Sequence, residues 1–166
     1  MKEEQFKVLK AMIEATSRMD LNMFAEKVKL TPNQTMQQIQ ELAKEGFLQK
    51  SGRGYGITEK GKAAFKVFTP VTEEMSFHFY FDINQPADLT SKTLQEFYKA
   101  IKQVSAGSLE FHLYRGDFEN WLKEACKEQK LADKIGGIKV TGLKGEELRA
   151  ELLKVLDAKY FIQDLL

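Results

Sequence analysis

Apolar residues in the first forty-five positions recur at three- and four-residue steps, the period of helices packed on one side. Phe6, Leu9 and Ile13, widened by Val8 and Met12, predict a helix over roughly residues 3–17. Leu21, Phe24, Ala25 and Val28 predict a second, capped by Asp20 and closed by Leu30. The third has the clearest start: Thr31 at the N-cap, Pro32 at the first helical position and Gln34 completing a capping box. Met36, Ile39, Leu42 and Ala43 then face inward, and Gly46 ends the helix. Two short strands follow, Phe47-Leu48-Gln49-Lys50 and Ile57-Thr58. They flank the glycine-rich Ser51-Gly52-Arg53-Gly54-Tyr55-Gly56, which predicts a hairpin. Thr58-Glu59-Lys60-Gly61 starts a further helix reaching about Phe68.

Beyond Thr69-Pro70-Val71-Thr72, a hinge by its proline, the pattern changes. Phe77, Phe79 and Phe81 alternate with Ser76, His78 and Tyr80, the period of a half-buried strand. Asn84-Gln85-Pro86 predicts a turn, and Ser91 caps a helix whose stripe is Leu94, Phe97, Tyr98, Ile101 and Val104. Leu109, Phe111 and Leu113 alternate with Glu110, His112 and Tyr114, which predicts a second strand. Arg115-Gly116 is then a turn, and Asp117 the cap of a helix burying Phe118, Trp121, Leu122 and Ala125. Gly136-Gly137 separates a short helix from an extended Ile138-Lys139-Val140. A last helix from about Gly145 points Leu148, Leu152, Val155 and Leu156 inward. The fold class is α+β: a helix-turn-helix domain with a hairpin over residues 1–70, then a small α+β domain over 71–166.

Composition narrows the function classes. The 166 residues are 43% hydrophobic and 30% charged, with no run long and apolar enough to span a bilayer. The first residues lack the apolar core of a signal peptide, and a single cysteine, Cys126, forms no internal disulfide; the expectation is a cytoplasmic protein without a membrane partner. The formal net charge of +1 conceals an asymmetry: twelve Lys/Arg against eight Asp/Glu leave +4 over residues 1–70, while thirteen against sixteen leave −3 beyond. A basic front and an acidic back suit a nucleic-acid module joined to something else.

The helix end Leu42-Ala43-Lys44-Glu45-Gly46-Phe47-Leu48 and the helix start Ile57-Thr58-Glu59-Lys60-Gly61, separated by the hairpin, resemble the winged helix-turn-helix regulators of bacteria and archaea. That resemblance covers nearly all of residues 1–70. It implies that the third helix enters the major groove of double-stranded DNA and that the hairpin, as the wing, touches phosphates or the minor groove. With Ile39 inward, Gln34, Gln37, Glu41 and Lys44 point outward, flanked by Asn33, Gln38 and Gln40. Asn and Gln can pair bidentately with adenine, so Asn33, Gln34, Gln37 and Gln38, with Lys44, form the expected reading face. Lys50, Arg53 and Tyr55 are the expected wing contacts. Against this stand the absence of Lys or Arg from residues 32–43 and the outward Glu41, which suit a protein–protein adaptor.

Phe111-His112-Leu113-Tyr114-Arg115-Gly116-Asp117-Phe118-Glu119-Asn120-Trp121, with Leu143-Lys144-Gly145-Glu146-Glu147-Leu148-Arg149 after it, resembles a domain of unknown function common in archaea. It covers roughly residues 75–160 and implies no activity. If both predicted strands pack beneath the helices, His78, Tyr80, Glu110, His112 and Tyr114 share the opposite sheet face, with Arg115 and Asp117 at its rim. That face is expected to be a ligand site, a pH-sensitive surface or a homodimer contact, or simply a solvated sheet. No catalytic, metal or cofactor site is expected. Two histidines and one cysteine lack the spacing of zinc ligands, and Gly52-x-Gly54-x-Gly56 lacks the context of a phosphate loop.

Overall fold

The computed structural model describes residues 1–166, and the chain divides into two compact units, Met1–Lys66 and Val67–Asp164, the last two residues being shared out between them. The architecture is α+β, with two separate two-stranded antiparallel sheets. No helix is long and apolar enough to cross a membrane.

In the first unit, α1 (Glu3–Glu14), α2 (Leu21–Val28) and α3 (Pro32–Lys44) precede strands β1 (Leu48–Ser51) and β2 (Gly54–Ile57) and helix α4 (Glu59–Phe68), whose last two residues are assigned to the second unit. α1 is a turn shorter than its apolar stripe suggests. The Asp20 carboxylate accepts from the Met23 amide at 3.0 Å, capping α2 as expected. At α3 the capping box closes in both directions: Gln34 N–H donates to Thr31 Oγ1 at 3.2 Å, and Thr31 N–H to Gln34 Oε1 at 3.0 Å. Gly46, at φ +82°, ends α3 in a Schellman arrangement, with Phe47 N–H on the Leu42 carbonyl and Gly46 N–H on Ala43. Val8, Leu9, Phe24, Val28, Ile39, Leu42 and Leu48 fill the core.

The two short sequence patterns of this unit meet in space. Thr58 Oγ1 lies 2.7 Å from the Gly46 carbonyl and 3.0 Å from that of Phe47, and accepts from Gly61 N–H at 3.0 Å. A Cβ at Gly61 would come within 2.2 Å of the Phe47 oxygen, so the start of α4 can sit on the turn that follows α3 only with glycine there.

The second unit begins with a 3₁₀ turn, Glu73–Met75, and a hairpin of β3 (Phe77–Asp82) and β4 (Gln85–Ser91). Helices α5 (Leu94–Gln103), α6 (Ala106–Arg115), α7 (Asp117–Glu124), α8 (Gln129–Gly137), α9 (Gly145–Tyr160) and α10 (Ile162–Leu165) follow. Phe77 and Phe79 point from β3 into an aromatic cluster with Phe97, Phe118 and Trp121, whose neighbouring rings lie 4.8 Å (Phe77–Phe79), 4.9 Å (Phe97–Trp121) and 5.2 Å (Phe97–Phe118) apart. Trp121 Nε1–H donates to the Met75 carbonyl at 2.7 Å, so its one polar atom is satisfied.

Several expectations for this unit are corrected. The segment Leu109–Leu113 is not a strand but lies inside α6. Leu109, His112 and Leu113 bury one helical face, Ser105 caps the start and Gly116, at φ +83°, the end. Asn84-Gln85-Pro86 is not itself the turn: the chain reverses at Ile83-Asn84, with Asn84 at φ +62°, and Gln85 already belongs to β4. Ser91 ends β4, and Thr93 caps α5 instead, accepting from the Glu96 amide at 3.0 Å. Gly116 takes the cap position before α7, which leaves Asp117 as its first helical residue with a carboxylate free for other partners. Ile138–Thr141 is a 3₁₀ turn, not an extended segment, and Phe81 is exposed where the alternation placed it inward.

Candidate functional site

Two surfaces carry the residues singled out by sequence. On the first unit, the outer side of α3 presents Asn33, Gln34, Gln37, Gln40 and Lys44 to solvent. Gln34 Oε1 is occupied by the Thr31 amide and hydroxyl, which commits the acceptor of this side chain to the capping box. Gln37 Nε2 donates to Glu41 Oε1 at 3.1 Å, and Lys2 Nζ reaches Glu41 Oε2 at 3.3 Å. These bonds, the Gln37 amide first and Lys2 second, hold the Glu41 carboxyl below its ordinary range. The negative charge in the middle of the face is therefore permanent near neutral pH, though partly countered by Lys2. Gln38 leaves the expected contact set: it is 6% exposed, on the packed side of α3, and its Oε1 has no hydrogen-bond partner. A flank position is decided by how closely neighbouring helices approach, which helical periodicity does not specify.

The hairpin pairs Leu48 with Ile57, Lys50 with Tyr55 and Ser51 with Gly54, leaving Gly52-Arg53 as a two-residue tip. Gly52, at φ +60°, supplies the left-handed conformation that lets the tip be so short. Lys50 and Arg53 are exposed and Tyr55 is half-buried.

On the second unit, a cleft of about 320 Å³ opens between the β3–β4 hairpin and the junction of α6 and α7. It gathers the expected His78, Tyr80, His112 and Arg115, though through a helix rather than a shared sheet. Glu110 and Tyr114 are not among them. Glu110 accepts from the Gly145 amide at 2.9 Å, and the Tyr114 hydroxyl donates to the Leu143 carbonyl at 2.8 Å, so both tie α6 to the start of α9. They were placed in the cleft by a strand alternation that α6 does not have. Asp117, expected at the rim as well as at a helix cap, lines the cleft too, and Phe111, expected on the packed side, joins it. The motif Arg115-Gly116-Asp117 was the available signal, because an αL glycine between two helices folds its neighbours back onto the same turn.

His112 is the centre of this arrangement. It is 3% exposed, and its Nε2 accepts from the Tyr80 backbone N–H at 2.8 Å. That fixes the tautomer: the proton sits on Nδ1 and is donated to Asp117 Oδ2 at 2.8 Å. Burial pushes the His112 pKa down, against the opposing pull of Asp117 and helped slightly by Arg115, so the ring is held neutral. Arg115 Nε lies 3.3 Å from the same Asp117 oxygen, and its guanidinium stacks 4.6 Å above the Phe111 ring. Ser108 Oγ donates to the Tyr80 carbonyl at 2.6 Å. Both backbone groups of Tyr80 thus find partners on α6, whose side chains take the place of a third strand along β3. With both ring nitrogens committed, His112 is a positioning residue of the hairpin and has no free nitrogen for proton transfer. His78, by contrast, is exposed, with Nδ1 3.2 Å from Thr90 Oγ1.

No group of three or more His, Cys, Asp or Glu side chains is arranged to hold a metal ion. Comparison with curated proteins and with solved structures yields no match. Among family models, none for a winged helix-turn-helix is detected. One does match, from Gly61 at the start of α4 to Asp157 in α9, and so spans the aromatic cluster, the cleft and the Phe111–Trp121 motif. The chain belongs to this family of unknown function (DUF5752), matched over residues 61–157.

Proposed function

We propose that the first unit is a winged helix that binds double-stranded DNA, and that the protein acts in transcriptional control inside the cytoplasm. The second unit then supplies effector binding at the His78–Arg115 cleft, self-association or partner recruitment. The observation that carries this reading is the pairing of an exposed Asn33, Gln37 and Lys44 on α3 with an exposed arginine at the tip of a two-residue hairpin. Amide side chains suit adenine edges in the major groove, and a cation on a short ribbon suits phosphates or the minor groove. The order of three helices, hairpin and helix, and the glycine-dependent lock between α3 and α4, are consistent with it.

The test is fluorescence anisotropy of the full-length protein with a pool of random duplexes over a salt series. Binding that weakens steeply with salt supports the reading, because neutralised phosphates release counterions. Absence of binding at low salt overturns it and favours an adaptor. The specific observation behind that second reading is Glu41, which stands on the outer side of α3 with its charge stabilised by Gln37 and Lys2.

A further inference from the structure

A second cleft, of about 450 Å³, lies wholly within the first unit, between the hairpin and the ends of α1, α2 and α3. Three half-buried methionines line it: Met12 from α1, Met19 from the α1–α2 loop and Met36 from α3. Its floor includes Phe24 and Ile39, both under 9% exposed. Arg18 and Arg53 are exposed on its lining, which contains no carboxylate at all. The size falls within the range of about 300–1,000 Å³ typical of small-ligand sites.

We propose that this cleft binds a medium-chain alkyl carboxylate, with its chain among the methionines and its headgroup on Arg18 and Arg53. Methionine side chains are unbranched, flexible and polarisable, so they adapt to a mobile alkyl chain better than to a rigid planar ring. Guanidinium groups pair bidentately with carboxylates, and no acidic neighbour in the lining competes for them. The other cleft differs on this point: it sets Asp82 and Asp117 beside its single arginine, and Arg115 is already bound to Asp117. Charge complementarity therefore assigns the anion to the methionine-lined site. Occupation would also engage Arg53, the wing cation, and so compete with duplex DNA. That consequence, unlike the site itself, rests on the DNA-binding reading.

The experiment is a titration of full-length protein, labelled with ¹³C at its methionine methyls, with sodium decanoate below its micelle concentration and without DNA. The six methionines report separately. Met12, Met19 and Met36 are expected to shift together, while Met1, Met23 and Met75 stay in place. Decanol, with the same chain and no charge, is expected to bind about tenfold more weakly, and Arg18→Gln or Arg53→Gln to weaken decanoate to a similar degree. Both arginines are exposed, so the variants keep the fold, which the unchanged methyl spectrum of the free protein verifies. No shift at millimolar decanoate, equal movement of all six methyls, or equal affinity for decanol would each overturn the proposal. Because no DNA is present, a protein that never binds a duplex still gives a decisive result. If decanoate binds and the duplex binds, decanoate is expected to lower duplex affinity.

Discussion

The molecule contains two hairpins of two strands each, and they are stabilised in different ways. β1–β2 has a polar, cationic tip, Gly52-Arg53, and its only fully buried residue is Leu48. β3–β4 has the apolar Ile83 at its tip, 66% exposed, yet sends Phe77 and Phe79 into a cluster of five aromatic rings. An isolated two-stranded ribbon is marginal in water, so each must borrow stability from helices. The first borrows through the Gly46 turn, the close approach at Gly61 and the Thr58 hydroxyl that bonds the main chain of both. The second borrows by side chains, through aromatic packing and the His112 and Ser108 bonds to Tyr80. The lesson is that glycine positions report on the first kind of support, whereas the second depends on residues thirty positions away.

Four substitutions break or sharpen that contrast. Phe79→Ala removes a fully buried ring and is expected to cost about 3–5 kcal/mol. Trp121 is the only tryptophan and lies in the second unit, so its fluorescence in a urea titration measures this loss directly. Gly61→Ala forces a methyl against the Phe47 oxygen and is expected to destabilise the first unit by about 1–3 kcal/mol. It should lower the helical circular-dichroism transition while leaving the Trp121 transition in place.

The third test uses pH. The folded pKa of His112 lies below its ordinary value of 6.5, so between the two the unfolded chain binds the extra proton. Stability of the second unit is therefore expected to be level above about pH 6.5, to fall as pH drops below it and to level off again below the folded pKa. His112→Gln should abolish that dependence and cost about 1–3 kcal/mol at neutral pH through the unmade bonds to Tyr80 and Asp117. A curve with the same slope in the variant would show that another group is responsible. The smallest effect on stability belongs to Arg53→Ala, within about 0.5 kcal/mol for an exposed tip. On the proposed DNA-binding reading, its expected signature is instead a salt slope of duplex binding reduced by about one. An unchanged slope would remove Arg53 from the contact surface.

Much of the first unit was legible because its signals are local. Asp20, Thr31 with Gln34, and Gly46 mark helix ends by satisfying backbone groups within a few residues, and no distant partner is needed. The second unit shows the limits. Leu109, Phe111 and Leu113 alternate like a strand, but Leu109, His112 and Leu113 form an equally good helical stripe if His112 counts as buried. Only its partners, Tyr80 N–H and Asp117, make burial of that imidazole tolerable. β4 was missed for the converse reason. Gln85-Pro86-Ala87-Asp88 carries little strand propensity, and it is held by pairing with β3, where Pro86 faces Tyr80.

By itself, then, the sequence determined the capped ends of α2 and α3, the presence of the first hairpin though not its two-residue tip, the β3 strand, the α+β class and the family motif around Phe111–Trp121. Tertiary structure alone decided that residues 106–115 are a helix, that Gln38 is buried and that Glu110 and Tyr114 turn away from His112. It also brought three methionines and two arginines to one cleft. The physical reason is range. Caps, turns and strand alternation are settled within a few residues, whereas the burial of a polar side chain depends on which distant groups arrive to satisfy it.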